Sequence, residues 1–207
     1  MKVLCAISSC ESYETSGLNQ PLRETWLSEL PKIGWDYRFF HGNGATAKDD
    51  VMLVSCDDAY YDLTSKTKAK VRYALDRGYD FIFCCFPDTY ACPERLLTCG
   101  FDSYDYFGDV FCHPGGNPYC QGGAGYFLSR KAMEIVANSS QNYSNEDCFC
   151  GDLLNRPDIR RGDHKGFTYA GPGPLRNNTS VTVHLSTQPC GYTGENMRAA
   201  HRDWINS

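Results

Sequence analysis

The sequence predicts a single α/β domain with a mainly parallel central sheet flanked by helices. Three observations predict it. Strand and helix patterns alternate along the chain; the apolar run at 80–86 is continuous, as in a strand buried on both faces; and 207 residues suit one domain better than two. Hydrophobic residues make up 42% and charged residues 22%, a balance that excludes a disordered chain. No apolar run approaches the roughly 20 residues of a membrane span, so none is expected. A net charge of −5 argues against a global electrostatic grip on nucleic acid.

Residues 2–7 read as a first buried strand that runs into Ser8 and Ser9. Helical spacing covers 18–30 and stops at Pro31, followed by an aromatic strand at 35–41 and a short one at 52–55. The clearest helix is 64–77, with Val71, Ala74 and Leu75 on one face, lysines on the other and Gly78 as its stop. The central strand 80–86 follows, then a short helix at 93–97 opened by Pro93, a strand at 104–112 and a loop at 115–119. A strand at 126–128 leads to Ser129, which suits the N-cap of a helix at 130–137. Helix 146–154, strand 181–185 and helix 194–205 complete the chain, and the Pro/Gly/Asn-rich 162–178 reads as a loop inside the domain.

The twelve cysteines include no Cys-x-x-Cys pair, so their spacing matches no structural zinc site. Cys5, Cys84, Cys85 and Cys148 sit in apolar runs, as small buried hydrophobes do. Together with an amino terminus too short for a signal-peptide core, this predicts reduced thiols and a cytoplasmic setting.

In open α/β sheets ligands bind beyond the carboxyl ends of the strands. Ser8 and Ser9, Asp88 and His184 fall there. Asp88 and His184 suit a divalent cation such as Mn²⁺ or Mg²⁺, although an Asp after a strand is commonly a turn residue and a lone His commonly structural. A glycine stretch, Gly122 to Gly125, permits close approach of a ligand to the backbone. The pair Glu146 and Asp147 at a helix start supplies either a dipole-stabilising cap or a base.

Six segments, in order, resemble the Fringe-like β-1,3-glycosyltransferases, a GT-A-fold family that uses UDP-sugars. They are Arg23-Glu24-Thr25-Trp26; the stretch Asp58 to Thr67, with Asp62-Leu63-Thr64-Ser65-Lys66-Thr67 at its end; the apolar strand ending in Asp88-Thr89-Tyr90; Gly122-Gly123-Ala124-Gly125-Tyr126-Phe127-Leu128-Ser129; Glu146-Asp147-Cys148-Phe149-Cys150-Gly151; and His184-Leu185-Ser186. The departure is at the family's acidic triplet, where Phe86 and Pro87 replace the first two members and Asp88 alone remains.

The resemblance implies a Rossmann-like nucleotide-sugar-binding domain, its residues 1–100 mainly for UDP and 101–207 mainly for acceptor and catalysis. It implies Asp88 and His184 as Mn²⁺ (or Mg²⁺) ligands and Asp147 as the base on the acceptor hydroxyl. On the donor side it implies Ser8, Ser9, Arg23, Asp58, Lys66, Asp88, Gly123, Ala124 and Gly125, and on the acceptor side Tyr126 and Glu146. The implied reaction moves a hexose or deoxyhexose from UDP-glucose or another UDP-sugar to a glycan or glycoprotein hydroxyl. A short, cysteine-rich form also resembles the domains that large chlorella viruses apply to their capsid protein. A degenerate sugar-binding domain and an unrelated nucleotidyltransferase are the alternatives.

Overall fold

The computed structural model describes residues 1–143, 145–168, 180–187 and 192–205. The strands are β1 (Val3–Ser8), β2 (Asp36–His41), β3 (Val51–Leu53), β4 (Phe81–Cys85), β5 (Thr89–Ala91), β6 (Tyr106–Gly108), β7 (Val110–Phe111), β8 (Tyr119–Cys120), β9 (Tyr126–Ser129), β10 (Arg161–Asp163), β11 (Phe167–Thr168) and β12 (Thr182–His184). The helices are α1 (Glu11–Thr15), α2 (Gln20–Glu24), α3 (Trp26–Glu29), α4 (Leu63–Asp76), α5 (Pro93–Thr98), α6 (Arg130–Ala137), α7 (Glu146–Leu154) and α8 (Gly194–Ile205). The main sheet has the order β10-β6-β9-β4-β1-β2-β3. All its pairings are parallel except those of β9, which runs against both β4 and β6.

The period of two in β1 explains the layering. Val3, Cys5 and Ile7 join a core with Trp26, Phe39, Phe83 and Phe127, covered by α2, α3, α5 and α8. Leu4 and Ala6 join a second core with Val71, Ile82, Met133 and Phe149, covered by α4, α6 and α7. Phe101 and Phe127 stack at 4.1 Å in the first. Cys5, Cys56, Cys84, Cys85, Cys92, Cys120 and Cys150 are buried free thiols, whereas Cys148 is half-buried. No helix among the described residues is long and apolar enough to cross a membrane.

Three predicted elements are corrected, the first being the loop over 162–178: its described part holds the end of β10 and all of β11, and 169–178 lie outside the described residues. The helix over 18–30 breaks at Thr25, whose hydroxyl donates to the Pro21 carbonyl at 2.6 Å and whose backbone leaves the helical region. The strand over 104–112 divides at Asp109: β6 stays in the main sheet and β7 pairs with β8, which absorbs the end of the predicted loop. Ser129 does cap α6, accepting the Ala132 N–H.

The reversed β9 matters for function. Because it runs antiparallel, its beginning, and the glycine turn before it, lie at the same edge as the carboxyl ends of β1 and β4. A small sheet, β11-β12-β5, then carries the late strand to that edge: His184 pairs with Thr89, the residue after Asp88.

Candidate active site

A cleft of about 420 Å³ opens at this edge. Ser8 and Ser9 end β1, Asp58 and Lys66 come from the start of α4 and the loop before it, and Asp88 follows β4. Gly122 and Gly123 line it, Gly122 against Glu146 and Gly123 against His184, and Asp147 and Ser186 complete the lining.

On the His184 side, Asp88 Oδ2 lies 3.0 Å from His184 Nε2 and accepts the Ser186 hydroxyl. Asp88 Oδ1 is buried with no hydrogen-bond partner among the described residues. A buried carboxylate oxygen left in that state is unfavourable unless a ligand takes it up. Gly123 is required here: a Cβ on it would stand 2.7 Å from the His184 ring.

At the start of α7, Asp147 Oδ1 accepts the Cys148 N–H at 2.8 Å and Oδ2 faces the Gly122 N–H at 3.4 Å. The carboxylate therefore caps the start of α7 and borders the cleft at the same time. Glu146 is 3% exposed and accepts the Tyr126 hydroxyl. Burial pushes its carboxyl up to about 7, with Asp147 adding to the rise and Lys70 and Tyr126 opposing it.

At the β1 end, Lys66 is buried and donates to the Ser9 carbonyl and to Asp58 Oδ1, both at 2.6 Å. Asp58 also accepts the backbone N–H groups of Gly42 and Glu11. Burial works against its charge, yet these donors hold its carboxyl below the usual range. Ser8 Oγ accepts Lys70 and the Ser9 hydroxyl donates to Asn19, so both serines face the cleft with committed side chains.

The structure thus brings Ser8, Ser9, Asp58, Lys66, Asp88, Gly123, Glu146, Asp147 and His184 to one cleft. It does not bring Arg23, Ala124, Gly125 or Tyr126 to its surface. Arg23 is taken up by Glu14 at 3.0 Å and Asp50 at 2.6 Å and ties α1 to the loop before β3. Tyr126 is wholly buried with its hydroxyl on Glu146, so an acceptor cannot reach it in this conformation. Gly125 has φ +80° and a Cβ there would meet the Phe83 ring at 2.6 Å, which makes it a packing residue. Ala124 is buried, and its carbonyl accepts Thr182.

Cys10, Tyr13 and Tyr60 also line the cleft, and sequence reasoning did not single them out. The first two belong to or border α1, a five-residue helix with no buried face and hence no periodic signal. Ser186, two residues past His184, was quoted in its motif without a role.

No family model matches the chain, and no curated protein matches it. Solved structures do resemble it. A glycosyltransferase involved in glycosylating the major capsid of PBCV-1 aligns over 98% of each chain at 12% identity, with a TM-score of 0.56. The inositol-1-phosphate CTP transferase of T. maritima aligns over 98% of this chain and 96% of its own at 9% identity and 0.53. The galactosyltransferase LgtC, solved with donor and acceptor sugar analogues, gives the same coverage at 9% identity and 0.50. At such identities the likeness is one of fold: the chain has the GT-A-type α/β architecture.

Proposed function

We propose that the chain is a metal-dependent glycosyltransferase that moves a hexose or deoxyhexose from a UDP-sugar to a hydroxyl of a glycan or glycoprotein. The observation that carries this reading is the placement of Asp88 with His184 and of Asp147 in one glycine-lined cleft at the carboxyl edge of the sheet. The GT-A-type fold and the Fringe-like motifs support it, and the likeness to the PBCV-1 enzyme favours a capsid protein as one acceptor to try.

Asp88 and His184 fit a divalent cation by chemistry. One is a hard carboxylate with an orphaned buried oxygen, the other an imidazole in contact with it. Among the described residues no third His, Cys, Asp or Glu joins them, so Ser186, the diphosphate and water would complete the set. Bound there, Mn²⁺ or Mg²⁺ would neutralise charge on the departing UDP. Lys66 fixes the Ser9 carbonyl and with it the donor end of the cleft. Gly122 and Gly123 let the sugar lie against backbone, where any Cβ would displace Glu146 or His184. Asp147 receives the proton of the acceptor hydroxyl, a role that contributes about 10²–10⁴ in rate.

The test is a UDP-sugar screen for hydrolysis and transfer with Mn²⁺, followed by two variants. Asp88→Ala is expected to abolish the gain in UDP affinity that Mn²⁺ gives, read by calorimetry. Asp147→Asn is expected to bind UDP as before and to lose at least about 10² in transfer rate. Unchanged metal enhancement in the first, or near-normal transfer in the second, would overturn the respective assignment. The fold shared with the CTP transferase favours one second reading, nucleotidyl transfer, which predicts pyrophosphate release from CTP and no UDP-sugar turnover.

A further inference from the structure

From Ser8 and Glu146 in the cleft wall a buried polar cluster runs inward, to which the proposed transfer gives no step. Lys70, 1% exposed on α4, donates to Ser8 Oγ at 2.7 Å, and its charge acts on Glu146. Glu146 accepts Tyr126, whose hydroxyl also lies 3.6 Å from Cys150 Sγ. Glu146 Oε1 rests against Gly122, where a Cβ would stand 2.6 Å from it. Burying a carboxyl and an ammonium is unfavourable unless each is held by partners, so the cluster calls for a purpose.

The start of α7 supplies one. Its N-cap, Asn145, makes no side-chain capping bond, so the usual anchor of a first helical turn is missing. The first residue of the helix is instead Glu146, buried and gripped from β9, and the next is Asp147. We propose that Glu146 is a positioning residue, a strut held by Tyr126 that fixes the first turn of α7 on the Gly122–Gly123 turn and so keeps the Asp147 carboxylate at the cleft.

The titratable groups whose charge acts on Glu146 are Lys70 from α4, Tyr126 from β9, Tyr106 from β6, Cys84 from β4, and Asp147 and Cys150 from its own helix, with the hydroxyl of Thr67 from α4 beside them. Of these, Lys70 and Tyr126 favour its ionised form while burial and Asp147 oppose it. Loss of either supporter therefore moves its titration to higher pH.

This inference deepens the transfer reading by naming what holds its base, and its first test needs no turnover. In Tyr126→Phe, amide hydrogen exchange at Gly122, Cys148 and Phe149 is expected to quicken at least about tenfold, with β1 and β4 unchanged. Wild-type protection at those amides in the folded variant overturns the strut. Kinetically, Tyr126→Phe is expected to bind UDP within twofold of wild type, to lose at least fivefold in kcat at pH 7, and to show an acidic limb shifted to higher pH. Quickened exchange with wild-type kcat and pH profile overturns the positioning role and leaves only a local anchor. Should Tyr126→Phe not fold, Glu146→Gln replaces it. Its exchange, corrected for intrinsic rates, is expected to be the same at pH 5 and pH 8, whereas that of the wild type differs; matching pH dependence in both overturns the proposal. Asp147→Asn, run alongside, keeps the two readings apart: normal transfer by that variant sinks the base assignment, while the exchange data still decide the strut.

Discussion

Lys66 and Lys70 lie one turn apart on the buried face of α4, 2% and 1% exposed, yet the carboxyl groups they serve behave oppositely. Asp58 accepts Lys66 and two backbone N–H groups, and these outweigh burial and keep its carboxyl below the usual range. Glu146 is sealed from water with the Tyr126 hydroxyl as its donor and Thr67 beside it, and burial pushes it up to about 7 despite Lys70 and both hydroxyls. A nearby ammonium therefore does not by itself keep a buried carboxylate ionised. The number of N–H donors that touch it, and its access to water, decide. The Asp58 pair is a fixed brace, and the Glu146 pair can yield by taking up a proton.

The largest expected effect breaks the brace. Lys66→Met leaves Asp58 and the Ser9 carbonyl without their shared donor and should cost about 3–5 kcal/mol in urea unfolding. Lys70→Met at pH 6 should cost clearly less, because Glu146 escapes by protonation. Equal losses at that pH would show that the two pairs are alike after all.

The next effect is read in pH. The folded value of Glu146, about 7, lies above the ordinary 4.5. Its contribution is therefore fully present below about pH 4.5 and is lost as pH rises through 7, a decline of about 3 kcal/mol at 1.36 kcal/mol per unit. Asp58 has the opposite sign: its contribution is present above the ordinary carboxylate range and is lost as pH falls through its lowered folded value. Glu146→Gln should remove the decline between pH 5 and 8. Parallel stability curves for the variant and wild type would rule out Glu146 as its source.

The smallest effect probes the glycines beside each pair. Gly122→Ala places a Cβ 2.6 Å from the Glu146 carboxylate, a side chain that can shift, and should cost about 1–3 kcal/mol. Gly42→Ala, beside Asp58, meets the Cys56 carbonyl at 2.5 Å and the backbone of Asp57 and Asp58 at 2.8 Å. Backbone yields less, so Gly42→Ala should lower the melting temperature more than Gly122→Ala. The reverse order would mean that the Glu146 cluster is the more rigid of the two.

Much of the cleft was legible in the sequence. Ser8, Asp88 and Asp147 each follow or begin an element whose limits are set by local signals: a continuous apolar run, a Pro or Gly stop, an acidic helix start. The reading of Arg23 and Tyr126 as substrate-facing was not sustained, because a motif records which residues stand in order and not which way they point. Arg23 found Glu14 and Asp50, and Tyr126 found Glu146, through contacts across 27 residues or fewer that no periodicity encodes.

By itself, then, the sequence determined the alternation of strands and helices, the two-faced burial of β1 and β4, and the placing of carboxylates and serines at element ends. These follow from side-chain pattern and backbone preference over a few residues. The tertiary structure alone decided that β9 runs backwards and delivers the glycine turn to the carboxyl edge, and that β12 pairs with β5, the route by which the expected meeting of His184 with Asp88 across 96 residues comes about. It also decided that Glu146 is sealed while Asp147 beside it is not. Strand direction and helix docking are set by which faces bury each other across the whole domain, and neighbouring residues in the chain carry no record of that choice.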